Sequence, residues 1–378
     1  MITNGHCEKQ FKPVQNVFEQ LHVTGRETGS SFAVYQDGKP LVNLWGGHKD
    51  ADKKYAWEEN TLANVWSTTK GVAATCAALM VERGLLDYDA YVTEYWPEFG
   101  VNGKDKITVG MLLSHQAGIC GTEDAKIEDY YNQETMAKRL AKMTPIWEPG
   151  TASGYHSMTF GWLVGELVKR VSGKSIGVIL KDEITSPRNI DFHIGLPESE
   201  HERCAEMIPM KRKERDSNIK IEVSDAQRAT SLGPNNLKHQ NSKEWKEAEI
   251  PAANGQGSAQ ALAKFYSLVL PKNPDLKILK DETIEKMTKT QIEYRDLVLA
   301  VVTKWAAGFI MNKHKVIYGP VSDSFGHSGW GGSCAFGDPK NRLGVSYVMN
   351  QMEDNLAADM RSVKLIDEFY KCLEIEDA

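Results

Sequence analysis

The sequence predicts an α/β protein of the α+β type, in which an antiparallel sheet is assembled from both ends of the chain and flanked by helices. β-rich runs lie near the N-terminus and again in the last third, whereas the stretches between them have helical spacing. Helices that follow such strands pack on the sheet and cover it. We expect residues 1–90 and 300–378 to form the sheet region, with 91–299 as a mainly helical region inserted between its two parts.

The first elements have strong local signals. Apolar residues recur at helical spacing over residues 11–23. Two β-rich runs, 31–35 and 41–45, flank the turn residues Asp37 and Gly38, a pattern typical of a β-hairpin. These runs predict one helix and two paired strands at the N-terminal end of the sheet region.

Further elements are predicted from the same patterns. Helices are expected over residues 109–119, 128–143, 160–171, 258–270 and 353–373. Strands are expected over residues 297–302, 305–311, 315–318, 333–336 and 343–349. The charged stretch 197–248, which contains the basic run 211–215, is predicted to be an irregular, solvated excursion; a flexible lid is the alternative.

Composition excludes several classes of function. The 378 residues are 41% hydrophobic and 25% charged, with a net charge of -6, which argues against nucleic acid as a partner. The six cysteines show no zinc spacing, so we expect no metal and no other cofactor. The N-terminus has no apolar signal segment and no run reaches membrane-spanning length, so we expect a cytoplasmic protein without a membrane partner. Self-association into a homo-oligomer stays open.

Ser67 and Lys70 open a helix that is predicted to be buried. Residues 71–81 contain no charged side chain, and Gly84 suits the position that ends a helix. Lys70 lies three residues after Ser67 and therefore on the same face. A serine hydroxyl beside a desolvated amine, at the positive end of a helix, is the arrangement that a nucleophilic serine needs. An N-cap serine followed by a solvated lysine is the alternative.

The same spacing occurs a second time, at Ser217 and Lys220. This copy lies in a charged stretch and opens no apolar helix. We therefore interpret Ser67 as the candidate nucleophile and the second copy as a chance match.

Three spaced motifs make the chain resemble the serine β-lactamase and penicillin-binding-protein superfamily. The motifs are Ser67-Thr68-Thr69-Lys70, Tyr155-His156-Ser157 and His327-Ser328-Gly329. The resemblance is to the branch that holds class C β-lactamases, DD-peptidases and family VIII carboxylesterases. It implies a β-lactamase/transpeptidase-like fold and acyl transfer through an ester on Ser67.

The resemblance also implies roles for the other motif residues. Lys70 and Tyr155 would relay the serine proton, and which of the two is the base stays open. The backbone N–H groups of Ser67 and Trp330 would stabilise the oxyanion. Gly329, Gly331 and Gly332 would let an edge strand approach the substrate, and Trp330 would wall an apolar acyl pocket. His115 and His156 are interpreted as structural.

Two positions depart from the common pattern of the superfamily. Ser157 stands where asparagine is common, and His327 stands where lysine is common. A neutral imidazole attracts a substrate carboxylate less than a fixed ammonium does. We therefore expect an esterase of small carboxylic esters, with a β-lactamase or a D-amino-acid peptidase or amidase as the alternative. A catalytically retired scaffold with the same fold is the alternative from another class.

Overall fold

The computed structural model describes residues 3–210, 222–356 and 358–374. Its strands are β1 Asn4–Cys7, β2 Gly29–Gln36, β3 Lys39–Gly47, β4 Ala63–Asn64, β5 Phe192–His193, β6 Gln256–Gly257, β7 Ile292–Arg295, β8 Val302–Trp305, β9 Ile310–Met311, β10 Phe325–Ser328, β11 Cys334–Asp338 and β12 Leu343–Met349. Its α-helices are α1 Lys12–Val23, α2 Thr69–Glu82, α3 Val92–Tyr95, α4 Val109–Leu113, α5 Ile127–Tyr130, α6 Gln133–Lys142, α7 Thr159–Ser172, α8 Ile176–Ile179, α9 Asp225–Ser231, α10 Lys243–Glu247, α11 Ala259–Val269, α12 Asp281–Thr288 and α13 Met360–Glu374.

A nine-stranded sheet joins the two ends of the chain. Its order is β1-β3-β2-β12-β11-β10-β9-β8-β7, and its neighbouring strands are antiparallel. The predicted hairpin is β2 and β3, and β2 pairs with β12 so that Val34 lies opposite Val345. The fold class predicted from the sequence is therefore confirmed.

Helices cover the centre of the sheet. Every residue of β2 from Gly29 to Tyr35 is buried, so both faces of this strand are covered. Helix α11 packs against β2, β11 and β12, and α1 packs against β3 and α13. Phe11 stacks on Phe369 with 4.6 Å between ring centroids, which links the N-terminal segment to the C-terminal helix. The core thus unites residues that are far apart in sequence.

A small second sheet brings the middle of the chain to the start of α2. Its order is β4-β6-β5, and Ala63 of β4 lies opposite Gly257 of β6. Beyond this pair, the backbone N–H of Val65 donates to the carbonyl of Gly255 at 2.9 Å. Gly255 in turn donates to Thr69 Oγ1 at 2.9 Å. The segment before β6 is thereby fixed beside the turn that carries Ser67.

Two strand predictions in the last third are wrong. Residues 297–301 form a turn between β7 and β8, and residues 315–318 form bends between β9 and β10. The range 305–311 holds only the last residue of β8 and the short β9, whereas β7 was not predicted. Apolar residues of the two mispredicted segments line a cavity described below, so their apolar character reflects that cavity and not a strand.

The helix predicted over residues 353–373 begins later, at Met360. The preceding residues bond through their backbone to the glycine turn after β10. The N–H of Glu353 donates to Gly331 O at 3.0 Å, and the N–H of Gly331 donates to Asn355 O at 3.0 Å. These bonds use backbone groups that a helix would need.

The middle of the chain also differs in detail from the predictions. The helix expected over 109–119 ends at Leu113, and the one expected over 128–143 is split into α5 and α6, with Asn132 capping α6. The stretch 197–248 is not irregular throughout, because it contains α9 and α10 and buries Trp245 completely. The basic run 211–215 and the second Ser-x-x-Lys copy, 217–220, both lie outside the described residues. The division at residues 90 and 300 stays a prediction.

Candidate active site

Ser67 lies in a tight 3₁₀ turn, Trp66–Thr68, directly before α2. Trp66 has a φ of 48°, a left-handed conformation that is strained for a bulky residue. The hydroxyl of Thr69 donates a hydrogen bond to Trp66 O at 2.5 Å and fixes this conformation. At the other end of α2, Gly84 has the left-handed φ of 68° that was expected after the helix. The turn holds Ser67 at the amino end of a buried helix.

The amine of Lys70 is fully buried and has three neutral partners. Nζ lies 3.0 Å from Ser67 Oγ and donates to Ser157 O at 2.7 Å and to Ala252 O at 2.9 Å. Among the described residues it forms no ion pair with a carboxylate. Burial lowers the pKa of Lys70 well below its ordinary value. The structure thus brings the desolvated amine that the sequence predicted into contact with the serine hydroxyl.

Tyr155 completes this group. Its ring centroid is 4.8 Å from Lys70 Nζ, and its ring stacks on Trp305 at 5.8 Å. Burial raises the pKa of Tyr155, a hydrogen bond with Ser67 opposes that rise, and the charge of Asp296 adds to it. The phenol therefore keeps its proton at neutral pH. All three residues of the predicted proton relay are brought together.

Asp296 is a buried residue that the sequence analysis missed. One carboxylate oxygen, Oδ1, accepts three backbone N–H groups at 2.9 Å each, from Tyr155, Val298 and Leu299. Oδ2 accepts from Trp305 Nε1 at 3.2 Å. The carboxylate fixes the backbone of Tyr155 and the tryptophan on which its ring stacks. A lone aspartate after a β-rich run carries no sequence signal for this role.

Ser157 contributes its backbone to the site. Its carbonyl oxygen accepts from Lys70, and its N–H donates to Tyr155 O at 2.9 Å. A backbone carbonyl is available from any residue at this position. Serine in place of the common asparagine therefore leaves the hydrogen bond between this segment and the lysine in place.

The third motif lies on β10, which is interior to the sheet for only half of its length. The neighbouring β9 pairs with Phe325 and Gly326, so His327 and Ser328 have a sheet partner only on the β11 side. An edge strand was expected here. In the described structure β10 is an edge strand only at His327 and Ser328, and it is interior at Phe325 and Gly326. His327 Nδ1 donates to Ser328 O at 2.9 Å, and its Nε2 is buried without a partner among the described residues. Burial lowers the pKa of His327 to about 3, so the ring is neutral.

A glycine turn follows β10 and touches the Ser67 turn. A Cβ on Gly329 would lie 2.2 Å from Val65 O, so only glycine permits this approach. Ser333 Oγ closes the contact by donating to Val65 O at 2.7 Å. The backbone N–H of Trp330 has no acceptor in the described ranges. The indole of Trp330 packs edge-on against Trp66, with 5.2 Å between centroids.

His115 and His156 are buried beside this group. His156 donates from Nδ1 to Gly154 O at 2.7 Å and accepts at Nε2 from Ile119 N at 3.2 Å. His115 Nδ1 accepts from His156 N at 3.2 Å, and its ring packs edge-on against Trp305 at 4.3 Å. Burial lowers the pKa of both rings. They connect the loop after α4 to the Tyr155 segment.

An apolar cavity of about 380 Å³ opens next to Tyr155 and His327. Its apolar lining includes Leu299, Val301, Val302, Ile310, Met311, Val316, Ile317 and Leu356. Lys304, Lys313 and His314 are also among its lining residues. Trp330, expected to wall an acyl pocket, is not part of the lining drawn from the described residues.

No group of three or more His, Cys, Asp or Glu side chains in the described ranges could hold a metal ion. No described helix is long and apolar enough to cross a membrane.

Comparison with known proteins gives one family and several relatives. The family model described as Beta-lactamase matches residues 14–367. The chain is 31% identical to the esterase/beta-lactamase LipL of Mycobacterium tuberculosis, over 92% of this chain and 83% of the relative. A crystal structure of a family VIII carboxylesterase is 40% identical with a TM-score of 0.92, over 98% of this chain and 100% of the other. A penicillin-binding-protein homologue from Caulobacter crescentus is 37% identical with a TM-score of 0.90, with the same coverage.

Proposed function

Because the chain belongs to the Beta-lactamase family, we propose that it is a serine hydrolase that forms an acyl-enzyme on Ser67 and acts on small carboxylic esters. One observation carries the proposal: the hydroxyl of Ser67 contacts a lysine amine whose two other partners are carbonyl oxygens. No neighbouring carboxylate in the described chain holds that amine in its charged form.

Lys70 is the base in this proposal. A neutral amine has two N–H donors and one lone pair, and the three partners of Nζ are two carbonyls and one hydroxyl. The two N–H groups donate to Ser157 O and Ala252 O, and the lone pair accepts the proton of Ser67. Oγ then attacks the ester carbonyl while Lys70 becomes an ammonium.

Tyr155 is the proton donor to the leaving group. Its raised pKa and the nearby charge of Asp296 disfavour a resting phenolate. As the carbon–oxygen bond to the alcohol breaks, the phenol gives its proton to the departing oxygen and recovers one from Lys70. The acyl group stays on Ser67 until water attacks it. Lys70 and Tyr155 take the proton of that water and return it to Ser67 Oγ as the acid leaves.

The oxyanion requires two donors, and the backbone N–H groups of Ser67 and Trp330 are proposed for this role. The Trp330 N–H has no acceptor among described residues, and the Gly329 contact brings its turn against the Ser67 turn. The amino end of α2 adds a favourable field for negative charge.

Esters are the proposed substrates because of His327 and the cavity. The neutral ring of His327 presents an acceptor nitrogen, which does not attract a carboxylate. The apolar lining favours a hydrocarbon group, since each buried methylene contributes about 0.8 kcal/mol. The names of LipL and of the similar carboxylesterase agree with this substrate class.

β-Lactam hydrolysis is the second candidate, favoured by Lys304. This lysine lines the cavity and is a cation near which a substrate carboxylate would be stabilised. The printed name of LipL covers both esterase and β-lactamase.

Labelling with a fluorophosphonate, followed by mass spectrometry, tests the nucleophile. We expect the adduct on the peptide that contains Ser67 and none in Ser67→Ala. An unlabelled wild-type protein would instead favour the retired scaffold, and an adduct on Ser217 or Ser328 would reassign the nucleophile.

A series of p-nitrophenyl esters from acetate to octanoate, run beside nitrocefin, tests the substrate class. We expect kcat/KM to rise by up to about fourfold for each methylene that the cavity buries. Val316→Asn, at an exposed lining residue, should reduce this rise without changing the rate for acetate. Nitrocefin hydrolysis as efficient as that of the best ester would make the β-lactamase candidate the better one.

The cytoplasmic location and the absence of a cofactor and of a nucleic-acid partner stay predictions from the sequence, and self-association into a homo-oligomer stays open.

A further inference from the structure

A buried ionic cluster lies directly behind the glycine turn that carries Trp330. It consists of Arg361 in the first turn of α13, Asp359, Glu27 and Tyr347. The Arg361 residue is 1% exposed and both carboxylates are at most 3% exposed. Burial of one cation with two acids is costly unless their hydrogen bonds are complete. Hydrogen bonds to both acids and to neighbouring backbone groups offset this cost.

The guanidinium of Arg361 uses all of its donors. Nε and Nη2 donate to the two carboxylate oxygens of Asp359, at 3.0 Å and 2.7 Å. Nη1 donates to Glu27 Oε2 at 3.2 Å and to Gln351 O at 2.9 Å. The remaining N–H of Nη2 donates to Gly331 O at 2.9 Å. This last bond joins the cluster to the residue after Trp330.

The peptide groups next to Trp330 are fixed from both sides. Gly331 O accepts from Arg361 and from Glu353 N, and Gly331 N donates to Asn355 O. On the other side, Gly329 N donates to Ser333 O at 2.7 Å. Gly332 lies so close that a Cβ would be 2.4 Å from Asp359 Oδ2. The direction of the Trp330 N–H is thus set by its neighbours and not by an acceptor of its own.

We propose that Arg361 is a positioning residue for catalysis: with Asp359 and Glu27 it clamps the Gly331 carbonyl and thereby aims the Trp330 N–H at the oxyanion. The inference rests on the proposed function, because it assigns a purpose to the oxyanion donor named there. Arg361 touches no reacting atom. Its effect is on the transition state, in which the carbonyl oxygen carries charge, and not on the binding of the uncharged ester.

The test compares Arg361→Lys with Tyr347→Phe. Lysine keeps the charge beside both acids but lacks the planar fork that reaches Gly331 and Asp359 together. Tyr347→Phe removes a buried hydrogen bond to Glu27 in the same cluster and leaves the Gly331 bond intact. Both variants should lower the melting temperature, which makes the second a control for destabilisation alone.

For p-nitrophenyl acetate, below the melting temperature, we expect Arg361→Lys to lower kcat about 10- to 100-fold with KM within about twofold of wild type. This loss is smaller than that for complete removal of an oxyanion donor. The fluorophosphonate labelling rate should fall in parallel. Tyr347→Phe should keep wild-type kcat. Equal kcat in folded Arg361→Lys and wild type, or an equal loss in Tyr347→Phe, would overturn the inference.

If Arg361→Lys does not fold, Asp359→Asn takes its place. Asparagine keeps the shape of the Asp359 side chain but weakens its paired hydrogen bonds with the Arg361 guanidinium. A severalfold loss of kcat at unchanged KM supports the inference, and an unchanged kcat overturns it. Failure of the proposed function gives a different result: wild type itself would then be neither labelled nor active.

Discussion

Two basic side chains, Lys70 beside Ser67 and Arg361 behind the glycine turn, are buried, and their surroundings differ in charge. Lys70 has only neutral partners, and burial lowers its pKa well below the ordinary value, as the proposed role of general base requires. Arg361 has two carboxylates and no free donor, so it stays charged. The comparison teaches that counter-charges decide whether a buried cation is chemically reactive or structural.

The largest expected effect is the loss of activity when Lys70 is changed, which tests whether this lysine acts as the base. Lys70→Ala and Lys70→Arg should each lower kcat/KM by about 10³- to 10⁴-fold, because neither side chain can accept the serine proton. Ser67→Ala and the double variant should leave similar residual rates, since the groups act as one unit. A Lys70→Arg enzyme with substantial activity would show that charge, and not the free amine, is what matters.

Lys104 offers a matched control for the Lys70 variants. Lys104 is also buried and donates to carbonyl oxygens, of Val101 and Met143, but lies outside the site. Lys104→Ala should keep kcat/KM.

In wild type, kcat/KM should fall as pH falls through the lowered pKa of Lys70, because only the neutral amine is a base. A rise that continues to pH 10 would contradict a lowered pKa.

Arg361→Met tests whether Arg361 stabilises the fold by balancing the two buried acids. It leaves Glu27 and Asp359 buried without their cation, which should cost about 3–5 kcal/mol in the free energy of unfolding. Urea denaturation measures this cost. The triple variant Arg361→Met, Glu27→Gln, Asp359→Asn should recover part of it, since no buried charge then remains. A loss below about 1 kcal/mol in the single variant would show that the acids are stable without the guanidinium.

The pH dependence of stability sharpens the description of the same cluster. Burial raises the pKa of Glu27 to about 7, opposed by Arg361 and the Tyr347 hydrogen bond and supported by Asp359 and Glu353. The native state therefore binds this proton more tightly than the unfolded state does. The free energy of unfolding should fall as pH rises from about 4.5 to 7, by on the order of 3 kcal/mol. Glu27→Gln should remove that slope, whereas Glu123→Gln, at an exposed carboxylate, should keep it.

The smallest expected effect is a change of substrate preference in His327→Lys, which would place a third cation in the comparison. An ammonium at this position should raise the ratio of nitrocefin to p-nitrophenyl ester kcat/KM by about tenfold, or about 1.4 kcal/mol. His327→Asn, a neutral replacement, is the control and should leave the ratio within about twofold. An unchanged ratio in His327→Lys would remove the neutral ring as the reason for ester preference.

The errors in the sequence analysis have a common physical cause. In the two mispredicted segments, the apolar residues that line the cavity are Leu299, Val301, Val302, Val316 and Ile317. A short apolar run looks the same in sequence whether it faces a cavity or a sheet. Glu353 and Asn355 fall in the range predicted to be helical but form backbone hydrogen bonds to Gly331 in the glycine turn instead. In each case a distant part of the chain overrode the local preference.

The sequence by itself determined what depends on side-chain identity and local spacing: the hairpin, the buried helix after Ser67, the sheet built from both ends and the three motifs. Only the tertiary structure decided which backbone groups surround those motifs. The carbonyls of Ser157 and Ala252 that hold Lys70, and the Gly331 carbonyl that Arg361 holds, could belong to any residue type. Backbone groups leave no trace in the sequence, because every residue has a carbonyl and only folding brings a particular one within bonding distance.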